Sequence, residues 1–236
     1  MESGKRYLDG SYLEANPTFH VEDSSWKVKQ IATMFERHQF SPQSVCEIGC
    51  GAGEILHLLQ LKYPSIDSLH GYEISPQGFS LAQQRQGGKL QFFNSNLFEA
   101  EDAYYDLLLC IDVFEHVEDY FGFLRKLQRH ASHFIFHIPL DMNVQMVLRS
   151  EPISRVRRQV GHIHYFSKDT ALAALSDTGY KIVDWFYTQS ANERPKSLKS
   201  RLAKLPRQLV ARVSPEMSAR VLGGYSLLVY ASMFSD

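Results

Sequence analysis

Gly49, Gly51 and Gly53 alternate in the stretch SVCEIGCGAGEILHLL, residues 44–59, directly after a short apolar run and directly before a helical pattern. Glycine costs backbone entropy, so three of them here mark a turn with unusual dihedrals or a ligand pressed against bare main chain. A phosphate-cradling P-loop needs Lys-Ser/Thr after its last glycine, and Glu54 follows Gly53 instead. A dinucleotide fingerprint needs its third glycine at position 54, where the same Glu stands, which weakens that reading. The remaining pattern is acid-x-Gly-x-Gly-x-Gly, beginning at Glu47. Other residues able to do chemistry are Glu73, Asp112, Glu115, His116, His162 and His164.

The elements that must position these residues alternate. Short β-rich runs, SVCEIG, SLHGYEI, KLQFFN, YDLLLCI and HFIFHIP, are separated by helix-length amphipathic segments from residue 44 onward. That rhythm predicts a parallel sheet, with the near-continuous apolar run YDLLLCI as a central strand. In EILHLLQLKY the residues Ile55, Leu58, Leu59 and Leu61 take core spacing, and Pro64 stops the helix. Ser167 is placed as an N-cap, Asp169 complements the helix dipole and Gly179 ends the helix. KIVDWFY and YSLLVYASM supply two last strands without a long apolar helix between them, which points to an antiparallel edge pair. A helix around SSWKVKQIATMFERH precedes the alternation, with Trp26, Val28, Ile31 and Phe35 on one face. Between the last two strands, residues 194–212 hold seven Lys or Arg and no acid; Leu198, Leu202, Leu205 and Leu209 share a face, and Pro206 is expected to interrupt the helix.

The 236 residues suffice for one α/β domain with a full core. A net charge of -1 gives no general pull toward nucleic acid. Cys46, Cys50 and Cys110 lack paired metal-type spacing and read as buried reduced thiols, as in the cytosol. The amino terminus lacks an apolar signal core, and no run approaches the ~20 apolar residues that span a bilayer, so a soluble, cytoplasmic protein is expected.

Glu47-Ile-Gly49-Cys50-Gly51-Ala-Gly53 at a strand-to-helix turn resembles the first motif of the class I S-adenosylmethionine-dependent methyltransferases. NSNLFE, the segment Asp112-Val-Phe114-Glu115-His116-Val117, and Gly161-His162 followed by Tyr165 or Phe166 and Ser167 are similar to later motifs of its small-molecule type, which includes ubiquinone-pathway O-methyltransferases. The likeness covers about residues 41–187 and 224–232. It implies a Rossmann-like α/β fold with a seven-stranded, mostly parallel sheet, helices on both faces and an antiparallel last strand. The implied organisation is a helical cap over 1–40, a core over 41–187, a basic helical insertion over 188–223 and a last strand over 224–236 of one domain.

The resemblance further implies S-adenosylmethionine as cofactor, S-adenosylhomocysteine as product, and a cofactor site of Glu47, Gly49, Cys50, Gly51, Gly53, Glu73, Ile74, Asn96, Leu97, Ile111 and Asp112. Glu73 lies 20 residues past Gly53, where a strand-tip carboxylate can accept both ribose hydroxyls. Asn96 matches the position that meets the adenine amino group. His116 is the candidate base, with His162 and His164 as substitutes, because an imidazole titrates near neutrality. Asp112, Glu115, His116 and His162 are also similar to a set that binds Mg²⁺ in some relatives; magnesium prefers oxygen ligands, and the expectation is no bound metal. His20 and Trp26 are placed to close the pocket, with core packing as an equal alternative for Trp26.

The expected function is methyl transfer to oxygen or nitrogen of a small acceptor; the basic segment, extended by Arg155, Arg157 and Arg158, reads first as a solvated helix that covers the sheet edge or joins two subunits, with a lid attracting an anionic acceptor as the alternative. Rival readings are a nicotinamide-dependent oxidoreductase and a regulatory protein that holds the cofactor without catalysis. Nucleic acid is not an expected partner, and a homodimer is open.

Overall fold

The computed structural model describes residues 2–189 and 204–233. Seven strands form one sheet: β1 (Ser44–Ile48), β2 (Ser68–Tyr72), β3 (Leu90–Phe93), β4 (Tyr105–Ile111), β5 (Ala131–Pro139), β6 (Lys181–Thr188) and β7 (Ser226–Ser232). Their spatial order is β3-β2-β1-β4-β5-β7-β6. The first five run parallel, and β7 is antiparallel to both β5 and β6.

Strand periodicity splits the core into two layers. Cys46, Leu108, Cys110, Phe134, Phe136, Leu227 and Val229 pack on one face against Leu124, Leu127, Ala171 and Leu175. Val45, Leu69, Leu107, Leu109, Ile135 and Leu228 fill the other with Val28, Ile31, Phe35, Ile55, Leu56 and Leu59. Both faces of β4 are therefore dry, which is why its sequence runs apolar without alternation. All three cysteines are buried.

Helices α1 (Glu2–Leu8), α2 (Ser11–Ala15) and α3 (Val21–His38) precede the sheet. Trp26, Val28, Ile31 and Phe35 are buried along α3, as their spacing predicts. Helix α4 (Glu54–Lys62) buries Ile55, Leu56 and Leu59, whereas Leu61, expected in the core, is 65% exposed because it lies off that face. Helices α5 (Pro76–Gln83), α6 (Tyr120–Leu127), α7 (Val144–Arg149), α8 (Glu151–Gln159) and α9 (Lys168–Asp177) follow, then α10 (Lys204–Val213). Ser167 caps α9 in a reciprocal pair with Thr170. Pro206 falls in the first turn of α10 and does not interrupt it, because the amide it lacks would have no partner there. Leu198, Leu202 and the Leu205 side chain lie outside the described residues; Leu209 is exposed.

β1 and β4 are neighbours whose connections leave in opposite directions across the sheet. In such sheets ligands sit beyond the carboxyl ends of the strands at this point.

Candidate active site

A cavity of about 1140 Å³ opens there. Its wall includes the turn after β1, the tips of β2, β3 and β4, the α7–α8 pair, and Tyr7, Tyr12, Phe19 and His20 from the amino-terminal segment.

The β1 turn is held by the next strand: Gly49 and Cys50 donate their amide hydrogens to the Tyr72 carbonyl at 2.8 and 3.2 Å. All three glycines have positive φ, at 66°, 54° and 75°. Gly49 and Gly51 line the cavity, but Gly53 does not. A Cβ on Gly53 would collide with the Phe92 ring, so this glycine serves the packing of α4 on the sheet. Cys50 turns its sulfur toward Gly71 and Phe92, beneath the loop.

Glu73 is buried, with one carboxylate oxygen accepting the Gly51 amide at 2.8 Å and the other the Ser75 amide at 2.7 Å. Burial pushes its pKa up, and the amides partly offset that. Each oxygen keeps a lone pair for a further donor. Ile74 and Leu97 line the cavity beside it. Asn96 also lines it, and its side-chain oxygen accepts the Phe98 amide at 3.1 Å, which leaves the amide nitrogen for a ligand.

At the other end of the loop, Glu47 is buried and its Oε2 has no hydrogen-bond partner. Burial raises its pKa to about 8, against the opposing pull of Lys27. Lys27 reaches in from α3 to place its ammonium 2.7 Å from Asp112. Burial works against that charge, and Asp112 more than restores it. Asp112 has φ 55° and also meets His137 Nδ1 at 2.5 Å. Burial opposes its ionisation, but His137 and Lys27 hold its pKa well below the usual carboxylate range. Its side chain thus points into this network, while Ile111 and Asp112 line the cavity. Trp26 lies edge-on to His137 at 5.9 Å and lines the cavity, so it packs and closes at once.

A third group gathers around Glu115. This carboxylate is 1% exposed, neither oxygen has a hydrogen-bond donor, and its Oε1 is 3.8 Å from His116 Nε2 and 3.9 Å from His162 Nε2. Burial pushes the pKa of Glu115 up, and His162 pulls it down. His162 donates from Nδ1 to Asp141 at 2.6 Å. Burial disfavours its charge, but Asp141 and Glu115 raise its pKa on balance. His116 goes the other way: burial and the charge on His162 lower it to about 4. His164 does not line the cavity, and its Nε2 donates to the Val117 and Glu118 carbonyls. His116 and His162 therefore come together, and His164 secures the loop beneath them.

An orphaned carboxylate with two imidazoles, one of them oriented by an outer carboxylate, is a donor set that fits a divalent ion accepting mixed nitrogen and oxygen ligands. Asp112, the fourth member expected from sequence, is spoken for by Lys27 and His137. Sequence reasoning missed Lys27, Tyr7, His137 and Asp141 among the site residues. Tyr7, whose buried hydroxyl has no partner, sets its ring edge-on to His116 with the ring centroids 6.0 Å apart.

A family model for the methyltransferase domain matches residues 24–184, about two thirds of the chain. The chain belongs to that family of methyltransferase domains. This sets aside the nicotinamide reading. The ubiquinone biosynthesis O-methyltransferase of Rickettsia prowazekii is 26% identical over 94 residues, 39% of this chain and 37% of that one. The match thus spans well under half of this curated relative. Among solved structures, the N-methyltransferase NodS from Bradyrhizobium japonicum, in complex with S-adenosylhomocysteine, aligns over 94% of this chain and 97% of its own with TM-score 0.58 and 15% identity. The geranyl diphosphate C-methyltransferase from Streptomyces coelicolor aligns over 87% and 79% with TM-score 0.62 and 13% identity. These likenesses show the Rossmann-like methyltransferase fold, and the three proteins are named for three different acceptor atoms. No helix among the described residues is long and apolar enough to cross a membrane.

Proposed function

We propose that the protein transfers a methyl group to an oxygen or nitrogen of a small, negatively charged acceptor, with His116 as the proton acceptor. The observation that carries the reading is the pairing, in one cavity, of bare main chain at Gly49 and Gly51 with two buried carboxylates at its ends, Glu47 and Glu73. Glu73 has lone pairs for two ribose hydroxyls. The unpartnered Glu47 oxygen and the Lys27 ammonium suit the ammonium and carboxylate of an amino-acid head. Asn96 keeps amide hydrogens for a ring nitrogen.

The bound cofactor supplies an activated methyl carbon; the chain positions the nucleophile and removes its proton. The lowered pKa of His116 keeps it neutral at pH 7 with an unpartnered Nδ1 that can accept a proton, as a weaker base than a free imidazole, whereas His162 is biased toward its charged form. Lys126, Arg149 and Arg155 line the same cavity and favour an anionic acceptor. Calorimetry with S-adenosylhomocysteine tests the cofactor seat, with NADH as the control expected to give no heat. Transfer of radiolabel from S-adenosylmethionine into acidic small molecules of a cell extract tests the acceptor class, and a catalytically silent protein would label nothing.

A second reading is favoured by the unpartnered Glu115 carboxylate: a divalent ion held by Glu115, His116 and His162. Such an ion would orient an acceptor oxygen and lower its pKa, in place of a histidine base.

A further inference from the structure

Residues 2–20 lie wholly before the segment matched by the family model, which begins at residue 24. They nevertheless roof the cavity. Tyr7 and Tyr12 are 4.8 Å apart between ring centroids, Tyr12 and Phe19 5.3 Å, and all three line its wall. The Phe19 ring lies against the glycine turn and α5: Cβ atoms built on Gly51 and Gly78 would meet it at 3.5 and 3.0 Å.

The other end of this segment is fastened across the cavity. Arg6 donates from its guanidinium to the carbonyls of Arg157, Arg158 and Gln159, at 3.5, 3.5 and 3.2 Å, and Asn16 adds a bond to Gln159 at 3.2 Å. These are last-turn carbonyls of α8, which have no partner within the helix and sit at the negative end of its dipole. Gly161, at φ 90°, leaves the space that the guanidinium occupies; any Cβ there would collide with it. α8 itself contributes Pro152, Arg155 and Val156 to the cavity wall. At the junction with α3, Phe19 and His20 are consecutive non-glycine residues with φ 46° and 58°. Two adjacent left-handed residues are strained and persist only while their surroundings hold them, which marks the point where the segment would bend.

We propose that residues 2–20 are a strap that must lift for the cofactor to leave, and that Arg6 is its latch, tying the roof over the glycine turn to the helix that walls the acceptor end. The proposal rests on the cofactor seat described above. Because the latch grips α8, displacement of α8 by an acceptor would be felt at the cofactor, through Phe19.

The test is release of tritiated S-adenosylhomocysteine from the full chain into excess unlabelled ligand, with hydrogen exchange of residues 4–20 measured on the same samples. Arg6→Ala is expected to speed release by about tenfold, the loss of one charge-assisted contact set. Arg6→Lys should fall between it and the wild type, and exchange in residues 4–20 should quicken in the same order while β1 and β4 stay protected. Release from Arg6→Ala within twofold of the wild type overturns the latch. So does faster release with unchanged exchange in residues 4–20. Failure of the wild type to bind S-adenosylhomocysteine at all would sink the cofactor seat and with it the gating role, and would be seen before any variant is compared.

Discussion

The Glu73 carboxylate accepts the amide hydrogen of Gly51 across 2.8 Å, so the turn after β1 and the tip of β2 are a single hydrogen-bonded unit. One acidic side chain therefore shapes the turn and faces the cavity. Glu73→Ala should remove both roles, weakening S-adenosylhomocysteine about 10- to 100-fold by calorimetry, as the loss of hydrogen bonds to a charged group predicts. Glu73→Gln should lie between, because its amide oxygen can still accept one of the two backbone hydrogens.

Glu47 predicts a pH dependence. In the unfolded chain it titrates near 4.5, and in the fold near 8. Between those values the native state holds a proton that the unfolded state has lost, so its contribution to stability is full below about pH 4.5 and falls as the pH rises toward 8. The slope attributable to it approaches about 1.4 kcal/mol per pH unit. Glu73 and Glu115 are raised in the same direction, so the measurement is the difference between wild type and Glu47→Gln in urea unfolding from pH 5 to pH 8. That difference should shrink the wild type's loss of stability; parallel curves would show that Glu47 is ionised in the fold.

The divalent-ion reading predicts that Mn²⁺ or Zn²⁺ binds the wild type in equilibrium dialysis with a stoichiometry near one, and that Glu115→Gln and His162→Ala abolish it. Asp141→Asn should weaken binding by about 10- to 100-fold through the orientation of His162. Full activity after exhaustive EDTA treatment, with no ion retained, would leave His116 as the base.

Gly53→Ala should be a folding variant. The new methyl meets Phe92 at a backbone φ of 75°, combining overpacking with left-handed strain. A loss of about 2–4 kcal/mol is expected, seen as a lower thermal midpoint. Cofactor affinity of the protein that remains folded should be little changed, since position 53 does not line the cavity.

The strands were legible because burial on both faces imposes apolar runs that a sequence displays directly, as in Leu107–Cys110. The position of Glu73 at the tip of β2 was legible because the 20 residues from Gly53, which ends the β1 turn, span one helix and the next strand. Lys27 and Arg6 were not: each acts at a partner far along the chain, Asp112 and the end of α8, and no local pattern encodes that meeting. Leu61 misled because a leucine at helical spacing looks the same on a covered face as on a bare one. His164 misled because its neighbour His162 shares its composition and its turn, and only the direction of the ring separates a cavity residue from a clasp on the Val117 carbonyl.

The place of β7 between β5 and β6 has a consequence for synthesis. Until Ser226–Ser232 has cleared the ribosome, β5 presents a bare edge and β6 has no neighbour to join. The cofactor-facing half of the sheet, β1 to β4, can assemble while the chain is still growing, but the molecule closes in one late event, and a nascent chain stalled before that strand would expose a ready site for misassociation with other chains.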